Sequence, residues 1–162
     1  MELKPPSCQA CPAHTWGVGF VPPCGDPTSR LVAIGQGPGE QEAYHSRPFY
    51  EHAPSGSKVT EWWHQARLLR SETLFANVVW CWLPKGRRNN IPQGNREPTK
   101  GEVQYCTEHH LWPYMREHGL WDEDRLWVAL GTPATRLLSG LEGSVEKYIG
   151  TFIKVEGLGN GR

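Results

Sequence analysis

The chain of 162 residues has no net charge, because seventeen Lys and Arg balance seventeen Asp and Glu. That balance argues against gripping nucleic acid by bulk charge, though not against a local basic patch. No apolar run approaches the length needed to cross a bilayer. The first residues, MELKPPSCQACPAH, lack the apolar stretch of a secretory signal. A soluble cytoplasmic protein without a membrane partner is the expectation. Hydrophobic residues are scarce at 38%, and eight Trp offset part of that, since each buries a large area. The length suits one domain with its own core. Internal repeats are absent.

Two nucleotide-binding signatures are also missing. The stretch VAIGQGPGEQE has Gly35, Gly37 and Gly39 after an apolar run, but Glu40 stands where G-x-G-x-x-G needs glycine. No Gly-Lys-Ser/Thr follows, so it is not a P-loop either. What remains is a turn whose glycines permit close approach of a ligand to backbone amides. A tight strand-to-loop turn with no ligand fits these residues equally well. Disulfides are not expected, since a chain without a leader keeps its thiols in a reducing compartment. Of the five cysteines, Cys8 and Cys11 form a C-x-x-C able to reach one metal centre, while Cys24, Cys81 and Cys106 stand apart.

Residues 1–30 are rich in Cys and Pro and without periodicity, so they read as an irregular arm needing an outside staple. A buried strand is expected at 31–35, followed by the glycine turn and a polar loop. Ser57 caps an expected helix over 58–70, with Val59, Trp62, Trp63, Ala66 and Leu69 as its apolar stripe. LFANVVW, residues 74–80, reads as a second buried strand. Residues 84–98 read as a long loop. A capping box of Thr99 and Glu102 opens a helix reaching about His118. RLWVALG gives a third strand, and TPATRLLSG a short helix with Thr132 as N-cap, Pro133 at N1 and Gly140 at its end. YIGTFIKVEG is expected to be a further strand. Strands alternating with helices imply an α/β fold with a mostly parallel sheet covered on both faces. Ligands of such sheets bind at the carboxyl ends of the strands. The glycine turn, Asn77 with the Cys81 loop, and Gly131 all fall there.

The ordered set CQAC, GQGPGEQE, RPF, NVVWC, NREPTKGEVQYC and VALGTPATRLLSG, from about Cys8 to Gly140, resembles the iron–sulfur uracil-DNA glycosylases of the family 4 type. The resemblance implies a three-layer α/β/α sandwich with a short parallel sheet, and one domain over 1–162 with residues 1–30 as cluster-binding arm. It implies a DNA-repair hydrolase that cleaves the N-glycosidic bond of deoxyuridine after flipping the base out of the DNA. It also implies a [4Fe–4S] cluster on Cys8, Cys11, Cys81 and Cys106, with Cys24 left as a free thiol. Zinc on the same four thiolates is the rival, since ligand type alone does not separate the two. The expected partner is uracil-containing DNA, single strands included, bound by a monomer. The implied pocket comprises Gly35, Gln36, Gly37, Pro38, Gly39, Phe49 and Asn77. Phe49 stacks on the flipped ring, and the Asn77 amide matches the O4 and N3–H edge of uracil but not that of cytosine. Ordinary core packing for Phe49 and a strand-end turn for Asn77 are the structural alternatives.

Three departures stand out. Gln36 occupies the place of the family's carboxylate, which positions the attacking water and steadies the cationic sugar. An amide can hold a water but can neither take its proton nor supply negative charge, so hydrolysis is expected to be weak or absent. Glu40 and Glu42 stand near and are the candidates to substitute for that carboxylate, but at a helix start they are expected to face solvent. The chain ends at LGNGR, before the family's late His-Pro motif, so the C-terminal part of the fold is expected to be missing. None of the seven His is expected to replace that motif, and His109 and His110 read as surface residues on the second long helix. Finally, KGRRNNIPQG expands the loop between Cys81 and Cys106, and its Lys85, Arg87 and Arg88, together with Arg96, suit either phosphate contact or simple solvation. A catalytically inactive uracil-binding or single-strand-binding module and a zinc-stapled structural domain remain as alternative functions.

Overall fold

The computed structural model describes residues 1–121, 125–141 and 145–152. Strands β1 (Leu31–Gly35), β2 (Thr73–Asn77) and β5 (Leu126–Ala129) form a parallel sheet in the order β2-β1-β5. Period-2 alternation sends their side chains to opposite faces. Val32, Ile34, Leu74 and Ala76 pack on one face with Leu111, Met115, Ala134 and Leu138. Ala33 and Phe75 pack on the other with Phe49, Val59 and Trp63. Helix α2 (Pro54–Gln65) supplies Val59 and Trp63 of the second set, and α4 (Trp112–Glu117) and α5 (Thr132–Ser139) contribute to the first. The result is the expected sandwich of helix, parallel sheet and helix.

Helix α2 begins earlier than Ser57. Pro54 occupies its first turn, where a fixed φ and a missing N–H cost nothing, and Ser57 lies inside, donating to the Pro54 carbonyl. It stops at Gln65 because Arg67 turns left-handed at φ 58°. The expected stripe is therefore cut short: Val59 and Trp63 are buried, whereas Trp62, Ala66 and Leu69 are exposed. Helix α3 (Lys100–Cys106) opens on the expected capping box, with the Thr99 N–H donating to Glu102 and the Glu102 N–H to Thr99. It runs on through a π-turn (Thr107–Leu111) into α4. Helix α5 starts at Thr132 itself, with Gly131 as N-cap, and ends on Gly140 in the left-handed region at φ 66°.

Residues 84–98 are not a plain loop. They contain an antiparallel hairpin of β3 (Gly86–Arg88) and β4 (Ile91–Gln93), turned at Asn89 and Asn90 with φ of 50° and 63°. Asparagine tolerates that conformation, which two-residue hairpin turns require. The expected last strand is not formed over its described part, since Glu146–Tyr148 make a 3-10 turn and Phe152 is exposed. The remainder of that expectation falls outside the described residues. Among the described residues no helix is long and apolar enough to cross a membrane.

Candidate functional site: a glycine turn and a cysteine cavity

Gly35 and Asn77 are the last partners of the β1–β2 ladder, so the glycine turn and the amide meet at the sheet's carboxyl edge. A methyl group built on Gly35 would lie 2.4 Å from Phe49 Cζ and 2.5 Å from Asn77 Oδ1. Three expected pocket residues therefore touch around one missing side chain. The turn is tied to the strand beside it, as Val78 N–H donates to the Gly35 carbonyl and Val79 N–H to that of Gln36. Gly37 sits against Val79 in the same manner, Pro38 is buried, and Gln36 is half-buried. Asn77 is 2% exposed, and its Nδ2 has no hydrogen-bond partner. A buried amide donor left unpaired is costly and calls for an acceptor from a ligand or a water.

Phe49 is buried with its backbone in the left-handed region, at φ 50°. A bulky residue holds that conformation only when its surroundings enforce it. Here the Phe49 N–H donates to Glu42 Oε1 at 2.5 Å, and Arg70 donates to the Phe49 carbonyl at 2.7 Å. Glu42 Oε2 also accepts from the Gly39 N–H at 2.9 Å and from Ser55. One carboxylate thus ties the glycine turn to the segment that carries Phe49. Glu42 does not face solvent as expected; it is 4% exposed at the third position of α1 (Glu40–His45), while Glu40 is exposed. Burial pushes its carboxyl above the ordinary glutamate range, against the pull of its hydrogen bonds. The sequence signal for this brace was the G-x-x-E spacing at a helix start.

Behind the sheet edge, Cys8, Cys11, Cys81 and Cys106 line a single cavity with Lys4, Phe20, Trp80 and His110. The arm brings Cys8 and Cys11, the segment after β2 brings Cys81, and the end of α3 brings Cys106. Among the described residues no three Cys, His, Asp or Glu side chains converge closely enough to hold a single metal ion. All five cysteines are free thiols, and Cys24 lies apart, its backbone paired in both directions with Phe75. Burial pushes the Cys81 thiol up to about 12, against the pull of Lys4. Burial also raises Cys106, opposed by the Trp80 N–H that donates to its sulfur at 3.3 Å. Cys8 is raised by burial and then by Cys11. Lys4 spans the arm, donating to the carbonyls of Ala13, His14 and Gly17.

His110 is no surface residue. It is 8% exposed, and its Nε2 lies 3.2 Å from Cys8 Sγ. His109, one position earlier, is exposed and stacks on Tyr105. The π-turn and the Trp80 and Phe20 rings account for the difference, and no pattern in the sequence announces it. Among the basic residues, Lys85, Arg87 and Arg88 are exposed on the hairpin, with Arg87 5.7 Å from the Trp16 ring. Arg96 departs from that group. Its guanidinium makes two bonds to the buried Glu102, at 2.8 and 2.6 Å, so it braces the start of α3 instead of reaching outward.

The structure is thus a parallel α/β sandwich with an unpaired amide beside a glycine turn at the sheet's carboxyl edge and a separate cavity lined by four cysteines. The uracil-DNA glycosylase superfamily model matches residues 22–158, and the chain belongs to that family. It is 34% identical over 99 residues to a type-4 uracil-DNA glycosylase of Thermotoga maritima, covering 61% of this chain and 46% of that one. The corresponding enzyme of Archaeoglobus fulgidus is 30% identical over 103 residues, 64% of this chain and 46% of its own. That of Pyrobaculum aerophilum is 28% identical over 145 residues, 89% of this chain and 65% of its own. The chain spans about half the length of the first two of these relatives and about two thirds of the third.

Proposed function

We propose that the chain is a uracil-DNA glycosylase that takes a flipped uracil between the glycine turn, Phe49 and Asn77. The unpaired, buried Asn77 Nδ2 carries this reading. It would donate to uracil O4, while Oδ1 accepts from N3–H; cytosine presents the opposite polarity at both positions. Phe49 would supply the apolar face for the ring. The exposed cations of the hairpin suit phosphate contact, so uracil-containing DNA, single strands included, is the proposed partner of a monomeric protein.

Hydrolysis requires a water at the sugar carbon and stabilisation of developing positive charge. Gln36 can orient that water by hydrogen bonding but leaves its proton and the sugar's charge uncompensated. Slow turnover follows. Cys8, Cys11, Cys81 and Cys106 would hold a [4Fe–4S] cluster. Four cysteines lining one cavity supply the donor set that such a cluster takes. When bound, such a cluster would staple the arm to the sheet.

The test is incubation of the cluster-loaded chain with a single-stranded oligonucleotide carrying one uracil, followed by alkaline cleavage at abasic sites. Weak scission is expected from the wild-type chain. Gln36→Glu should raise it about 10²–10⁴-fold, the usual worth of general-base help. If Gln36→Glu gives no scission and neither form prefers uracil over cytosine strands in binding, the reading fails.

A further inference from the structure

We infer that His110 donates a hydrogen bond from Nε2 to the Cys8 sulfur and thereby raises the reduction potential of the iron–sulfur cluster. The inference rests on the reading of the four cysteines as cluster ligands. A thiolate bound to iron has no proton to give, so the hydrogen in the 3.2 Å contact belongs to the imidazole. The ring is held in that orientation from two sides. Trp80 stacks on it at 5.5 Å with an interplanar angle of 29°, and Phe20 meets it edge-on at 5.3 Å. His110 also lies in the π-turn that directly follows Cys106, a distortion that recurs at functional sites. The Trp80 N–H makes a like contact to Cys106 at 3.3 Å, so two of the ligand sulfurs each face an N–H.

A hydrogen bond to a ligand sulfur withdraws electron density from it. Reduction adds negative charge to the cluster, so the reduced state gains more from the donor and the potential rises. Burial enlarges that difference, because little water competes for the sulfur. His110 is thus a positioning and tuning residue of the cluster, with no contact to the pocket beside Gly35. Its removal should alter the cluster's electronic properties while leaving iron content unchanged.

The test uses the full chain reconstituted anaerobically with ferrous iron and sulfide. Wild type, His110→Phe and His110→Gln are compared by iron and sulfide analysis and by potentiometric titration. Phe preserves the ring stacking and removes the donor, whereas Gln restores an N–H. The midpoint should move to more negative potential in His110→Phe and return most of the way in His110→Gln. Equal midpoints in wild type and His110→Phe at equal iron content would overturn the inference. Should His110→Phe fail to fold, the wild type and His110→Gln decide. With isotope-labelled histidine, the reduced cluster should show a weak nitrogen hyperfine coupling that disappears in His110→Gln. A strong coupling of directly bound nitrogen, or none, would refute the hydrogen bond. A wild-type chain that takes up no iron and sulfide would overturn the cluster reading itself, an outcome separate from any of these.

Discussion

Gly35 has no space for a side chain, and the two groups that crowd it are the ones assigned to the base. Gly35→Ala must push the Phe49 ring and the Asn77 amide apart, since its methyl would sit within 2.5 Å of both. Overpacking of this kind costs about 1–3 kcal/mol of stability. The same displacement should weaken binding of a uracil-containing strand by about tenfold or more, as each tenfold is only about 1.4 kcal/mol. Gly37→Ala is the control, because its methyl meets the Val79 side chain at 2.6 Å and leaves Asn77 untouched. Urea unfolding and fluorescence-anisotropy titration of both variants check this. Equal losses of binding in the two would show that the Gly35 contact is ordinary packing. At this scale the sequence was informative where several residues acted together. Gly35 was legible as the end of a recognisable strand, whereas Asn77 falls inside the strand expected over 74–80 and is singled out by the family resemblance; the structure ends β2 at Asn77. The Glu42 brace had a signal in the G-x-x-E spacing, which by itself reads as a solvated helix start, and His110 had none, because a lone histidine mid-helix reads as solvated unless tertiary packing covers it.

The hairpin of β3 and β4 was concealed by its composition. Strands of three residues are too short to show alternation, and only the pair Asn89-Asn90 marks the turn. Its base lies beside the pocket, since the Asn95 amide comes within 3.5 Å of a methyl built on Gly39. Trp82 fixes that base, donating to the Gly94 carbonyl and to Asn95 Oδ1. Exposed Lys85, Arg87 and Arg88 stand on or beside this hairpin, which makes them the candidates for phosphate contact under the proposed function. Each phosphate contact to single-stranded DNA contributes about 0.7 to the slope of log affinity against log salt. Combined alanine replacement of the three should lower that slope by up to about two, for uracil-containing and uracil-free strands alike. Arg96→Ala should leave the slope unchanged, because that guanidinium is engaged with Glu102. Titrations across a salt series decide it. An unaltered slope in the triple variant would mean a hairpin that is merely solvated. Other elements were easier to read: the capping box of α3 lies wholly in local sequence. The early start of α2 and the π-turn after Cys106 depend on what those segments pack against.

Taken as a whole, the molecule has a sheet that holds itself and an arm that does not. Val32, Ile34, Leu74 and Ala76 are fully buried between helices, whereas the first thirty residues contribute a single short 3-10 turn. The arm is fastened by the Lys4 contacts, by backbone bridges of Val18 to Trp82 and Cys24 to Phe75, and by the cysteine cavity. The cavity joins segments that are distant in sequence, so the proposed cluster would close long loops, where cross-links restrict the unfolded chain most. In the metal-free state, burial keeps Cys81 and Cys106 as neutral thiols, and Cys8 and Cys11 are then held near them only by packing and by a few hydrogen bonds such as those of His110 and Lys4. Oxidative removal of iron followed by chelation should therefore raise hydrogen exchange first at residues 5–17. Protection of β1 and β2 should persist. Binding of a uracil-containing strand should weaken less than arm protection does, because the Gly35–Asn77 pair belongs to the sheet ladder and Glu42 braces the turn from the opposite side. Equal protection of the arm with and without iron would show that the cluster is no staple. Simultaneous loss of sheet and arm would show that the two halves fold as one cooperative unit.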